Sequence, residues 1–178
     1  MAHIDVFKGW AETMRQDIES FKVLLESSKA DQDSRRVAGA ALLYLVSRMD
    51  LIPDWNEGIG LLDDVMVLRV FAQLTESYQR GPLPTVAEVC LERLANEDEQ
   101  IAKFLGGPLH DKLRAYCAKL AGQAVRGRTP AQLVDSADLR KALYAELDEE
   151  IKKSVQIVVE DPADAEVRLK SYLTHKLQ

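Results

Sequence analysis

Five carboxylates crowd the stretch from Met49 to Val65, namely Asp50, Asp54, Glu57, Asp63 and Asp64, and no Lys, Arg or His lies among them. Like charges held close raise one another's pKa unless something positive compensates. A hard cation such as Mg²⁺ or Ca²⁺ does so with oxygen ligands drawn from a loop and a helix start. Asp50, Asp54, Asp63 and Asp64 are therefore the candidate ligands of a Mg- or Ca-dependent hydrolase or a metal-binding regulator. The same residues have a structural account, which the spacing favours. Asp50 and Asp54 flank Pro53 and can accept backbone amides as Asx residues do in turns. Asp63 and Asp64 follow Gly60 at the start of an expected helix, where unpaired N–H groups and the helix dipole stabilise anions. The spacing is not that of an EF-hand, and no histidine accompanies the acids as in transition-metal hydrolases.

Nothing else in the chain assembles a catalytic set. No Gly-x-Ser-x-Gly, Walker loop or dinucleotide fingerprint occurs. His3, His110 and His175 are read as surface or capping residues, and Ser27, Ser28, Ser47 and Ser154 have no base nearby in sequence. Cys90 and Cys117 fall inside helix-like apolar patterns without zinc-type spacing, so both are expected as small buried hydrophobes in a reducing compartment. No catalytic residue is assigned, and the reading leans away from an enzyme.

Composition narrows the partners. A formal net charge of -6 repels a phosphate backbone. Arg35-Arg36 and Arg126-Gly127-Arg128, the basic clusters, are expected as solvated helix ends rather than nucleic-acid contacts. The amino terminus has acid and aromatic residues where a signal peptide needs a basic start and an apolar run. Val37 to Ser47, the longest uncharged apolar run, is shorter than the ~20 residues that span a bilayer. A cytoplasmic protein without a transmembrane segment is expected, and peripheral membrane contact through the first helix is the weaker alternative.

The elements that must position these residues read as helices throughout. Phe7, Trp10, Met14, Ile18, Phe21 and Leu25 recur at spacings of three and four from Ile4 to about Ser28, with Glu12, Asp17, Glu19 and Glu26 on the polar face. Ser34 is the expected cap of a second helix starting near Arg35, apolar on every face from Val37 to Val46 and stopping before Pro53. A third runs from about Leu61 to Arg80 along Val67, Phe71, Leu74 and Tyr78. Gly81-Pro82-Leu83-Pro84 cannot continue a helix. Beyond it, Thr85-Val86-Ala87-Glu88 has capping-box spacing, and Asn96-Glu97-Asp98-Glu99 suggests a fresh helix start. Gly106-Gly107-Pro108 resets the chain before a helix ending near Arg126. Thr129-Pro130 reads as cap and first helical residue, Leu139 to Val158 as a long helix, and Asp161-Pro162 as the start of the last. Ile157-Val158-Val159 is taken as a helix end. The sum is an all-α, compact multi-helix domain of about seven or eight helices.

Within this frame the run Ala40-Ala41-Leu42-Leu43-Tyr44-Leu45-Val46-Ser47-Arg48-Met49-Asp50-Leu51-Ile52-Pro53-Asp54, with Gly60-Leu61-Leu62-Asp63-Asp64-Val65-Met66-Val67-Leu68, resembles the YkvA-like bacterial family from Ala40 to Phe71. The resemblance implies a small helical protein, sometimes membrane-associated, with no established activity. Its marked residues carry over as Asp50, Pro53, Asp54, Gly60, Asp63 and Asp64. Arg48 and Glu57 stand where proline is usual in the family. The expected organisation is a single domain, 1–178, with a YkvA-like core at 34–80 and a helical extension at 84–178. The leading functional expectation is a protein-interaction or regulatory module with a protein partner or a homo-oligomer. Its amphipathic end helices would be the contact surfaces, and the aspartate turn would be structural.

Overall fold

The computed structural model describes residues 2–47, 51–52, 59–153 and 159–178. The chain is all-α, with no strand among the described residues. Helices α1 (His3–Trp10) and α2 (Met14–Glu26) are joined by a short 3₁₀ turn, Ala11–Thr13. Then come α3 (Gln32–Val46), α4 (Leu62–Thr75), α5 (Thr85–Leu105), α6 (Gly107–Leu120), α7 (Pro130–Asp135), α8 (Ala137–Lys153) and α9 (Pro162–Lys176).

Helices α3 and α4 form the centre because their sequences leave no polar face to solvate. Every residue from Val37 to Val46 is buried, and so is every residue from Leu62 to Ala72. Each fully buried Leu or Val there contributes about 1.5–3 kcal/mol of transfer free energy. α2, α7 and α8 pack on α3, α5 covers α4, and α6 touches both central helices. Gly39 makes the approach of α7 to α3 close: a Cβ there would meet Leu133 Cδ1 at 3.4 Å and Pro130 Cα at 3.5 Å.

Several boundaries depart from the sequence reading, each for a local reason. α3 begins at Gln32 because Asp31, not Ser34, is the cap, its carboxylate accepting from the Ser34 amide at 2.7 Å. The other Asp31 oxygen accepts from Gln79 N–H at 2.9 Å, so one side chain caps α3 and fastens the chain leaving α4. α4 stops at Thr75, which leaves Tyr78 exposed rather than on an inward stripe. Thr85 to Glu88 forms no capping box, and α5 runs unbroken through Asn96 to Glu99. There Glu97 serves as partner for Arg69 of α4 and Asp98 for His110 of α6. α6 ends at Leu120, short of Arg126.

Other signals held. Thr129 and Gln132 make the reciprocal capping box of α7. Asp161 accepts from the Ala163 and Asp164 amides at the start of α9. Cys90 and Cys117 are free and buried. No helix among the described residues is long and apolar enough to cross a membrane.

The apolar stripes of the end helices face inward. Ile4, Phe7, Trp10, Ile18, Phe21 and Leu25 belong to the core. α9 lies against α1, buries Leu169 and Leu173, and lends Glu166 Oε1 to the Ile4 amide at 3.0 Å. Asp17, placed by periodicity on the polar face, is fully buried.

Candidate functional site

Gly60 brings the chain through a turn into α4, and Asp63 and Asp64 occupy its first helical turn. Both are buried, Asp63 at 1% and Asp64 at 6% exposure. The Tyr44 hydroxyl, near the end of α3, donates to Asp63 Oδ2 at 2.5 Å, a length typical of an O–H bond to a carboxylate. The same hydroxyl accepts the Leu51 amide at 3.0 Å, and the Ile52 amide approaches Asp63 Oδ2 at 3.4 Å. Tyr44 and Asp63 together hold the end of α3, residues 51–52 and the start of α4. This gives an energetic reason for an acid in an apolar place: a buried carboxylate is tolerable only with donors aimed at it. Asp50, Pro53, Asp54 and Glu57 lie outside the described residues. Of the proposed metal ligands the structure thus places Asp63 and Asp64, and no group of three or more His, Cys, Asp or Glu side chains able to hold a metal occurs among the described residues.

A second polar cluster escaped the sequence reading. Arg69 of α4 is fully buried. Its Nε donates to Glu97 Oε2 at 2.9 Å, its Nη1 donates to Val65 O at 3.0 Å and lies 3.6 Å from Asp17 Oδ2, and its guanidinium sits 4.4 Å from the centre of the Trp10 ring. Arg93 of α5 completes the set, donating from Nη2 to Asp17 Oδ1 at 2.7 Å and from Nη1 to Glu97 at 3.3 Å. The Thr13 hydroxyl adds a bond to Asp17 Oδ2 at 2.9 Å. Two cations and two anions close on themselves and tie α2, α4 and α5 together. Burial draws the Arg69 pKa below its ordinary value, while Asp17 and then Glu97 oppose that fall. The sequence signal was available: an arginine between Val67-Leu68 and Val70-Phe71 has no solvent to face and must find an anion.

A third pair joins α5 to α6. His110 Nε2 lies 3.0 and 3.1 Å from the two Asp98 oxygens, and both residues are buried. His110 is therefore an interior residue, not the surface or capping one expected. His3 lies against Phe7 and Phe104, and His175 is exposed in the last turn of α9. Cys117 sits near enough to Asp98 to feel its charge, yet the trio is no nucleophilic set. Burial first, and Asp98 second, push the thiol well above its ordinary pKa, and a catalytic cysteine needs the opposite shift. Cys90 is likewise pushed up by burial.

No curated protein and no solved structure matches the chain. Residues 34–69, from the first turn of α3 to Arg69 of α4, match the family model described as a protein of unknown function, DUF1232. The segment holding Tyr44, Gly60, Asp63 and Asp64 is thus similar to that family of unknown function, consistent with a YkvA-like resemblance over part of the chain.

Proposed function

We propose that the chain is a helical protein-interaction or regulatory module of the cytoplasm in which the aspartate turn is structural. The observation that carries this reading is the state of Asp63. Its carboxylate is buried and engaged by the Tyr44 hydroxyl at 2.5 Å, with the Ile52 amide beyond. A carboxylate spent on the protein's own donors is a poor ligand for a hard cation, which needs several convergent oxygens. The raised thiols and the self-neutralised Asp17, Arg69, Arg93 and Glu97 cluster also support a non-catalytic interior. We take residues 1–178 as a single domain, a reading supported by the packing of α9 on α1 and of α5 on α4.

The contact surface we assign is the start of α5 rather than the end helices, whose apolar stripes face the core and which, among the described residues, expose a single large hydrophobe, Val167 of α9. Val86 and Val89 are 69% and 58% exposed there, one turn apart, and Tyr78 is exposed on the segment leading to it. Exposed apolar side chains grouped on one face mark association sites. The wild-type protein is expected to capture a partner, or to self-associate on sedimentation, and the Val86→Asp/Val89→Asp variant to lose that while staying folded. Calorimetric titration with Mg²⁺, Ca²⁺ and Mn²⁺ separates the alternatives. Millimolar or tighter binding abolished by Asp63→Asn with Asp64→Asn would establish the metal reading, and an inert monomer that captures nothing would overturn the interaction reading.

A further inference from the structure

After α6 the chain returns through a tight turn. Val125 N–H donates to Arg128 O at 2.7 Å and Arg128 N–H to Val125 O at 3.1 Å. Between them Arg126 and Gly127 have φ of 52° and 78°, and positive φ at both central residues is the mark of a type I′ turn. The first central position favours Asn, Asp or Gly, so an arginine there holds a strained backbone. Strain of this kind collects at binding sites, and the turn does border a cavity.

The cavity lies between α3, α6 and the turn and has a volume of about 310 Å³. Ala40, Leu43 and Leu120 give it an apolar wall, Tyr44 and Tyr116 add aromatic faces, and Arg126 stands at its border. The volume is within the range of about 300–1,000 Å³ typical of small-ligand sites. Tyr44 is fastened through its hydroxyl to Asp63 and Leu51, so that wall is formed before any ligand arrives, which lowers the ordering cost of binding.

Charge selects the ligand. Glu146 faces two guanidinium groups, Arg128 Nη1 at 2.6 Å and Arg126 Nη1 at 3.5 Å. One carboxylate between two arginines leaves one positive charge over. Arg128 is buried and makes the short contact, whereas Arg126 is exposed and makes the long one. Among the described residues lining the cavity none is acidic. The Arg126 guanidinium keeps N–H donors beyond the Nη1 that makes the long contact to Glu146, and a guanidinium at the edge of an apolar wall matches a monoanionic carboxylate.

We propose that this cavity binds a small amphiphilic carboxylate, its head at Arg126 and its hydrocarbon body along Ala40, Leu43 and Leu120. The preformed Tyr44 wall rests on the structural reading of Asp63, whereas the charge at Arg126 does not. Decanoate is a suitable probe, with decanol as the uncharged control, in a titration followed by amide NMR shifts of the full chain. Saturable shifts are expected around Leu43, Tyr116, Leu120 and Arg126. Arg126→Gly removes the charge while suiting the positive φ, so the fold is kept. It should weaken decanoate about tenfold or more, the worth of a charged hydrogen bond, and leave decanol unchanged. Leu120→Trp, which fills the cavity, should abolish both. Shifts that do not saturate, shifts centred on Val86 and Val89, or undiminished decanoate affinity in Arg126→Gly would each overturn the proposal.

Discussion

Replacing Arg69 with methionine removes the one fully buried cation of the α2, α4 and α5 junction and leaves a side chain of similar reach against Trp10. The cost follows from what stays behind. Asp17 is fully buried and loses a guanidinium 3.6 Å away, but keeps Arg93 Nη2 at 2.7 Å and the Thr13 hydroxyl at 2.9 Å. Glu97 is partly exposed, loses Nε at 2.9 Å and keeps Arg93 Nη1 at 3.3 Å. Breaking a buried pair by removing one partner costs about 3–5 kcal/mol. Because both acids retain a second cation, the lower end, about 3 kcal/mol, is expected. Deleting the orphan as well should restore most of it. In Asp17→Leu with Arg69→Met the pair Arg93 and Glu97 stays matched at the edge, and buried ion pairs replaced by apolar groups are often neutral or stabilising. Urea unfolding followed by circular dichroism at neutral pH measures both. If Arg69→Met lost under about 1 kcal/mol, or if the double variant lost the sum of the two single losses, the account of a closed and mutually dependent charge cluster would fail.

Gly81→Ala should destabilise by about 1–3 kcal/mol, the cost of a strained φ, because φ there is 67° and a Cβ would stand 2.6 Å from the Lys29 carbonyl oxygen; urea midpoints test it, and an unchanged midpoint would mean that the 76–84 segment is not pinned to the corner before α3. Cys117 should resist thiol reagents in the native state and react only at the rate of unfolding. Its folded pKa lies above the ordinary value of 9.0, so its contribution to stability is present below about pH 9 and is lost as pH climbs through the folded value. Cys117→Ala should flatten that alkaline decline in urea midpoint, and an equal decline in both proteins would contradict the assignment.

Helix periodicity and punctuation made much of the architecture legible. The all-round apolar run of α3 shows in its composition alone, and the cap at Thr129 with Pro130 and the cap at Asp161 rest on interactions within a few residues. Local signals misled where a residue was claimed from afar. Ser34 suits a cap by its type, yet Asp31 captures the Ser34 amide and is itself held by Gln79. Asn96 to Glu99 suggested a helix start because acids favour N-termini, whereas Glu97 and Asp98 are spent on Arg69 and Arg93, and on His110. Asp17 sits beside the apolar stripe of α2, and its burial is explained by cations far along the chain, Arg69 and Arg93. The candidate site divides in the same way. That at least one of Asp63 and Asp64 faces protein follows from their place on α4, but that Tyr44 receives Asp63 depends on how α3 and α4 meet.

The most direct test of the central claim, that the aspartate turn is a structural clamp, is a double-mutant cycle on Tyr44→Phe and Asp63→Asn, read by urea unfolding in EDTA. Tyr44 and Asp63 share a buried bond of 2.5 Å, so a coupling of about 1.5–3 kcal/mol is expected without metal, the worth of a hydrogen bond to a charged group. Additive losses in EDTA, with coupling that appears only when Mg²⁺ or Ca²⁺ is supplied, would contradict the clamp and make the aspartates a metal site.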